Sequence, residues 1–124
     1  MQARVDEALD RVGMREQADL PIHTLKLYDK KLTLLAAALA TGPSVLLLDE
    51  AAAGLSALEM RELFELIQRL NREDGLTLLV IEHIMSILTG LCDRILVMND
   101  GKVLAIGKAD AVMATPEVKE VLLG

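Results

Sequence analysis

Apolar and polar positions follow two periods along this chain. Between Ala3 and Gln17, Val5, Ala8, Leu9 and Val12 recur at helical spacing among charged residues, which predicts an amphipathic helix. The Asp19-Leu20-Pro21-Ile22-His23 stretch reads as a loop. A second helix is predicted over roughly Asp29 to Ala40, closed by Gly42 and Pro43 in the usual stop order. Ser44 to Asp49 follows as a short strand, its Val45-Leu46-Leu47-Leu48 run wholly apolar, ending abruptly in two carboxylates. Ser56-Ala57-Leu58-Glu59 has the spacing of a capping box, in which the Ser oxygen takes one orphan N–H and the Glu reaches back to another. The helix it opens should run to about Arg72, with Leu63, Phe64, Leu66, Ile67 and Leu70 facing inward, and Gly75 supplies its stop. Leu76 to Ile81 is a second apolar strand, again ending in a charged pair, Glu82-His83.

Strand, helix, strand with unbroken apolar runs is the signature of a βαβ unit in a covered parallel sheet. Polar residues at the carboxyl ends of such strands line the ligand crevice, so Asp49, Glu50, Glu82 and His83 are expected at one edge. A helix over about Ile84–Leu91 leads to two apolar runs, Arg94–Met98 and Lys102–Ile106. Asn99-Asp100-Gly101 between them is a hairpin signal. The tail should hold a helix near Ala109–Met113. Thr115-Pro116 then forms an N-cap with Pro at the first helical position, opening a last helix to Leu123. There is no internal repeat and no low-complexity linker. The expected fold is α/β, a largely parallel sheet with flanking helices and a C-terminal hairpin, preceded by a small helical piece.

Composition narrows the function classes. A chain of 124 residues has the length of one small domain, and at 52% hydrophobic it is far too apolar for a disordered protein. Aromatics are only 2%, so the core must be built from Leu, Val, Ile, Ala and Met. A formal charge of −6 argues against a general nucleic-acid binder, which clusters cations over phosphates, and no nucleic-acid partner is expected. Binding of a single nucleotide stays open, because backbone N–H groups and Mg²⁺ can handle phosphates locally. Cys92 is the one cysteine, so neither an intrachain disulfide nor a paired-cysteine metal site is available. The first residues lack the apolar region of a secretory signal, and the longest apolar stretch, Leu32–Ala40, is too short to span a membrane. The expectation is a soluble, cytoplasmic protein.

Candidate chemistry sits at the strand ends. A carboxylate held at a strand's end, such as Asp49, can hold Mg²⁺ directly or through water, and a second beside it, Glu50, can orient or deprotonate an attacking water. The bland alternative is that the pair only solvates the strand end, and His83 taken alone reads as an ordinary rim histidine. What lifts the functional reading is the recurrence: a second strand some thirty residues on ends beside His83, a side chain able to donate to a terminal phosphate.

Taken together these segments resemble one family. Val45-Leu46-Leu47-Leu48-Asp49-Glu50 looks like the Walker B strand of an ABC ATPase, Gly54-Leu55-Ser56-Ala57-Leu58-Glu59 like its D-loop, and Val80-Ile81-Glu82-His83 like its switch-histidine segment. Order and spacing match for all three. Cys92 to Val103 is similar to the hairpin that follows. Pro116 to Gly124 is similar to the tail of branched-chain amino acid importer ATPases. The resemblance covers nearly the whole chain. It implies the C-terminal part of a P-loop NTPase-like ABC ATPase domain: residues 1–41 would be the end of the helical subdomain, and 42–124 the Walker B, D-loop and switch-histidine part of the core with the hairpin and last helices. It further implies ATP and Mg as cofactors, Asp49 as the Mg ligand, Glu50 as general base, His83 at the γ-phosphate, and Ser56 in contact with a second ATP-binding subunit. Transporter membrane subunits would hold the protein at the inner face of the cell membrane.

Two departures bear on activity. No G-x-x-x-x-G-K-[ST] occurs, since the only Gly-Lys pairs are Gly101-Lys102 and Gly107-Lys108 in or beside the hairpin. Without that loop the backbone cradle and Lys for the phosphates are missing, which fits a fragment or truncated gene product. The family's signature L-S-G-G-Q falls on Leu25-Lys26-Leu27-Tyr28-Asp29, where Leu27 and Tyr28 add bulk and Lys26 offers charge. Lys26 and Tyr28 are therefore the nucleotide-contacting positions that the resemblance implies, in a degenerate form of the signature. Ala51 also stands where relatives carry Pro. Such a chain alone is expected to be inactive or nearly so and, with the apolar edge of Val45–Leu48 unpaired, to self-associate. The competing readings are a non-catalytic dimerisation or interaction module, and a receiver-like α/β domain with Asp49-Glu50 by chance, which would leave the D-loop and His83 unexplained.

Overall fold

The computed structural model describes residues 1–123. It divides into two compact units, Met1–Ile81 and the residues from Glu82 onward.

In the first unit, helix α1 (Gln2–Val12) is shorter than the expected helix over 3–17. Gly13 takes φ 74° and ψ 24°, a left-handed conformation open to glycine without penalty. Its N–H donates to the Asp10 carbonyl at 3.1 Å and that of Met14 to the Leu9 carbonyl at 2.9 Å, a Schellman closure that satisfies two of the helix's last carbonyls. A short 3₁₀ turn, Arg15–Gln17, falls in the stretch expected as helix, and a second, Ile22–Thr24, overlaps the stretch expected as loop. Helix α2 (Leu27–Ala40) packs against α1 and buries Leu32, Leu35, Ala36 and Leu39. It begins two residues before the expected start because Lys26, extended at φ −68° and ψ 163°, is its N-cap.

Strand β1 (Val45–Asp49), helix α3 (Ala57–Asp74) and strand β2 (Thr77–Ile81) form the expected βαβ unit. The strands pair in parallel, Val45 opposite Thr77 through Asp49 opposite Ile81. The capping box at the start of α3 is present in both directions, and Gly75 ends the helix in the left-handed region at φ 65°. The five apolar residues predicted inward on α3 are all buried, Ile67 completely, alongside Leu46 of β1 and Leu76 before β2. Asp74 of α3 pairs with Arg11 of α1, and Arg69 donates to the Arg11 carbonyl, tying the first helix to the crossover helix.

The second unit opens with α4 (Met85–Leu91) and continues into the expected hairpin, β3 (Ile95–Asn99) and β4 (Lys102–Gly107). Asp100 at φ 47° and Gly101 at φ 74° make the two-residue turn with both central residues left-handed, whose twist matches antiparallel strands. A bulge falls between Val97 and Met98. Helix α5 (Ala109–Ala114) packs on both strands, and α6 (Pro116–Leu123) on β4, with Val112 and Val118 buried.

The apolar strand runs predicted a sheet covered on both faces, and the structure differs there. Among the described residues each strand has one neighbour, in two separate two-stranded sheets. Burial alternates along β1: Leu46 is buried while Val45 and Leu47 are exposed. A single crossover helix can cover only one face of the pair, so the other stays bare.

Candidate functional site

Every site residue of the first unit stands at the end of an element. Asp49 closes β1 opposite Ile81, the last residue of β2. Glu50 follows it at φ 48°, a left-handed conformation uncommon outside glycine, asparagine and aspartate. What holds it there is the sheet itself: the Glu50 N–H donates to the Ile81 carbonyl at 2.9 Å, extending the ladder one residue past the strand. The Glu50 carbonyl then accepts from Ala53 N–H at 3.1 Å, and the chain folds into a turn over the buried Ala52. Backbone strain of this kind costs about 1–3 kcal/mol and persists where the surroundings over-determine it. Its effect is to turn the chain sharply just after Asp49, so both carboxylates stay at the exposed end of the parallel pair.

The turn ends at Ser56. Its Oγ accepts from Glu59 N–H at 3.3 Å, while its own N–H donates to Glu59 Oε2 at 2.8 Å. Ser56 Oγ–H also donates to Glu59 Oε2 at 2.8 Å. The two bonds onto the carboxylate, the backbone one first, stabilise its charge, with Lys26's charge adding to them, and hold its pKa below the ordinary glutamate value of 4.5.

The degenerate signature positions lie at the start of α2. Lys26 is exposed and makes no side-chain cap, so the first N–H groups of α2 receive no acceptor from it. One contact joins the start of α2 to the turn before α3: a Cβ on Gly54, at φ 81°, would come within 3.0 Å of Leu27 Cδ2. Leu27 therefore rests on the turn that carries Glu50. Tyr28 is half-buried, and burial raises its phenol pKa first, with Glu62, Asp29 and Glu59 adding to the effect. Its ring helps line a cleft of about 320 Å³ with Asp10, Glu62, Glu65 and Arg69. Sequence reasoning missed the Leu27–Gly54 contact and this cleft, because both join segments far apart in the chain.

The parallel register brings the chain out of β1 and β2 at the same end, as predicted. Glu82 and His83 follow Ile81 directly and belong to the second unit, where His83 lies exposed in the bend before α4. Among the described residues no three His, Cys, Asp or Glu side chains gather as a metal cage. Mg²⁺ needs none, since it keeps several waters and takes one or two carboxylates. Asp49 fits that requirement. No helix of the described residues is long and apolar enough to cross a membrane.

No protein-family model matches the chain. It is 39% identical over 116 residues, 94% of its length, to the high-affinity branched-chain amino acid transport ATP-binding protein LivG of Escherichia coli. It is 36% identical over 93% of its length to the energy-coupling factor transporter ATP-binding protein EcfA3 of Clostridium perfringens. Against the methionine import ATP-binding protein MetN of Xanthomonas oryzae pv. oryzae it is 39% identical over 93%. Among solved structures, cbiO1 of Clostridium perfringens, part of the ABC transporter complex cbiONQ, superposes on 98% of this chain with a TM-score of 0.84 and 35% identity. The ADP conformation of the ATP-binding cassette MJ1267 does so with a TM-score of 0.88 and 26% identity. The chain spans about half the length of its relatives, 46% of LivG and 48% of cbiO1.

Proposed function

The chain is homologous to the ABC transporter ATP-binding proteins and carries about half of their ABC ATPase fold, and on that premise we propose that it is the C-terminal, hydrolysis-bearing part of such a subunit. The observation that carries this reading is the strand end itself, Asp49 and Glu50 held side by side by the bond from Glu50 N–H to Ile81. In this reading Asp49 holds Mg²⁺ and Glu50 takes the proton from the attacking water. His83 donates to the γ-phosphate. Bound Mg²⁺ would supply charge neutralisation of the phosphates. Ser56 and the turn before it face the second ATP-binding subunit. Residues 1–41 are the end of the helical subdomain and 42–124 the core part with the hairpin.

The solute is an amino acid of the branched-chain type, supported by LivG and the tail, while MetN and EcfA3 mark the wider class. Transporter membrane subunits anchor the protein at the inner face of the cell membrane. With no phosphate-cradling loop in its sequence, the chain by itself binds Mg-ATP poorly and turns it over little. Calorimetric titration of Mg-ATP into the chain and its Glu50→Gln variant tests this, with no saturable binding expected from either. Saturable micromolar binding would mean that the phosphates are held some other way.

A second reading, a non-catalytic module that dimerises through the Ser56 face, is favoured by one contact. Leu27 seated on Gly54 puts an apolar side chain at the α2 N-terminus, where relatives of this family present small residues to phosphate. ATP turnover in an assembly that supplies the missing loop separates the two.

A further inference from the structure

Between β1 and α3 the chain runs through a turn that is fixed at both ends. Its first residue, Glu50, is tied to β2 by the bond from its N–H to the Ile81 carbonyl. Its last, Ser56, is locked into the capping box of α3. Inside the turn, Ala53 N–H donates to the Glu50 carbonyl and Leu55 N–H to the Ala52 carbonyl, both at 3.1 Å. Ala52 is buried, whereas Ala53 and Gly54 stand exposed at the outside of the bend. The backbone here is strained, because Glu50 sits at φ 48° in the left-handed region, and such a residue persists only where its surroundings over-determine it.

Gly54 is where α2 reaches this turn. Its φ of 81° favours glycine, and the missing Cβ also leaves room for a neighbour to approach. That neighbour is Leu27. Among the described residues, chain neighbours aside, Leu27 Cδ2 is the one heavy atom within 4 Å of where a Cβ on Gly54 would stand. Leu27 is the first residue of α2, and the helix behind it is held by four buried side chains, Leu32, Leu35, Ala36 and Leu39. A branch carried on so firmly seated a helix supports whatever rests against it, since a shifted turn would forfeit the packing contacts. Leu27 itself stays 48% exposed, so the contact adds little to the core and its consequence is local to the turn.

We infer that Leu27 is a positioning residue for the carboxylate site: from the start of α2 its side chain pins the turn at Gly54 and so fixes the backbone from which the Glu50 carboxylate projects. The inference rests on the reading of Asp49 and Glu50 as the hydrolysis site. Leu27 touches no reacting group and acts through the turn alone.

Nuclear magnetic resonance of the full chain tests this. Leu27→Ala should shift the Glu50 Cα resonance and its HN–Hα coupling, both of which report the left-handed φ. It should also speed exchange of the Ala53 and Leu55 amides about tenfold, with the β1 and β2 amides unaffected. Leu27→Met keeps the volume and can still reach Gly54, so it should return these signals toward wild type. Leu34→Ala, on the same helix at a residue 72% exposed, should change none of them. Gly54→Ala sets a Cβ against Leu27 and should move the same Glu50 signals, and in a double-mutant cycle the two changes should fall short of additive. The φ strain of an alanine at 54 is common to both backgrounds, so the shortfall isolates the contact. Unchanged Glu50 signals in Leu27→Ala overturn the proposal, as do additive effects in the cycle. Exchange that quickens equally in the turn and in β1 and β2 makes Leu27 an ordinary packing residue and overturns it too. Manganese alone, added to the wild-type chain, tests the reading beneath: its paramagnetism should broaden the Asp49 and Glu50 signals. No broadening there sinks the carboxylates as a metal site, while the Glu50 signals still decide whether Leu27 sets the turn.

Discussion

The parallel pair β1–β2 and the hairpin β3–β4 are built from the same kinds of residue and held in register by different means. In the hairpin two residues suffice: Asp100 and Gly101 turn the chain in the left-handed region, and the strands follow from Asn99 opposite Lys102. In the parallel pair the strands cannot meet through a turn, so register depends on the 18-residue helix α3 burying Leu63, Phe64, Leu66, Ile67 and Leu70. Local turn chemistry sets the first arrangement and core packing the second. Both sheets share one property, a bare apolar face: Leu47 and Leu79 in the pair, and Leu96, Met98, Val103 and Ile106 in the hairpin.

If packing holds the parallel pair, core truncation in α3 should be the most damaging change. Ile67 is fully buried, and Ile67→Ala is expected to cost about 2–5 kcal/mol from lost transfer energy and the cavity left behind. Urea unfolding followed by the fluorescence of Tyr28 reads it, and a shift below about 1 kcal/mol would show that α3 does not carry the pair.

The hairpin should respond instead to its turn. Gly101→Val forces a β-branched residue to φ 74°, at a cost of about 1–2 kcal/mol. Hydrogen exchange should show lost protection in β3 and β4 and none in β1 and β2. Loss in both would mean that the two sheets are not separately specified.

A smaller effect sharpens the α3 side. Ser56→Ala removes one side of the capping box and should cost about 1 kcal/mol in thermal or urea unfolding. The pH dependence has a fixed sign. Because the folded pKa of Glu59 lies below 4.5, its contribution is complete above that value and fades as pH falls through the folded pKa. Acid titration of wild type against Ser56→Ala should therefore show the gap between the two stabilities narrowing below pH 4.5, as the Ser56 hydroxyl's bond to the carboxylate is lost, and parallel curves would refute that bond as a support of the box.

The smallest effect belongs to the Arg11–Asp74 pair, whose side chains are 28% and 38% exposed. A double-mutant cycle is expected to return under about 1 kcal/mol, fading with salt. A larger value would make the tie between α1 and α3 a main support of the parallel pair.

Much of this was readable from local sequence. The capping box needs only a Ser and a Glu three residues apart, and the hairpin turn only Asp-Gly between apolar runs; both formed as expected. The ends of helices were less legible. Gly13 stopped α1 inside a stretch of helical spacing, and α2 began at Leu27 behind a lysine whose side chain makes no cap. The site was legible as residues and not as geometry. Asp49 and Glu50 stood out by type, whereas the left-handed backbone of Glu50 depends on the Ile81 carbonyl thirty-one positions further along.

What the sequence determined by itself is whatever one segment decides alone: where apolar runs begin and end, which residues cap, which turn, and which motifs resemble those of ABC ATPases. The tertiary structure alone decided which strand faces stay bare, that Leu27 rests on Gly54, and that Tyr28 lies among carboxylates. The reason is physical. Periodicity records that a residue is apolar, but burial depends on whether another element covers it, and in this chain a single crossover helix cannot cover both faces of one parallel pair.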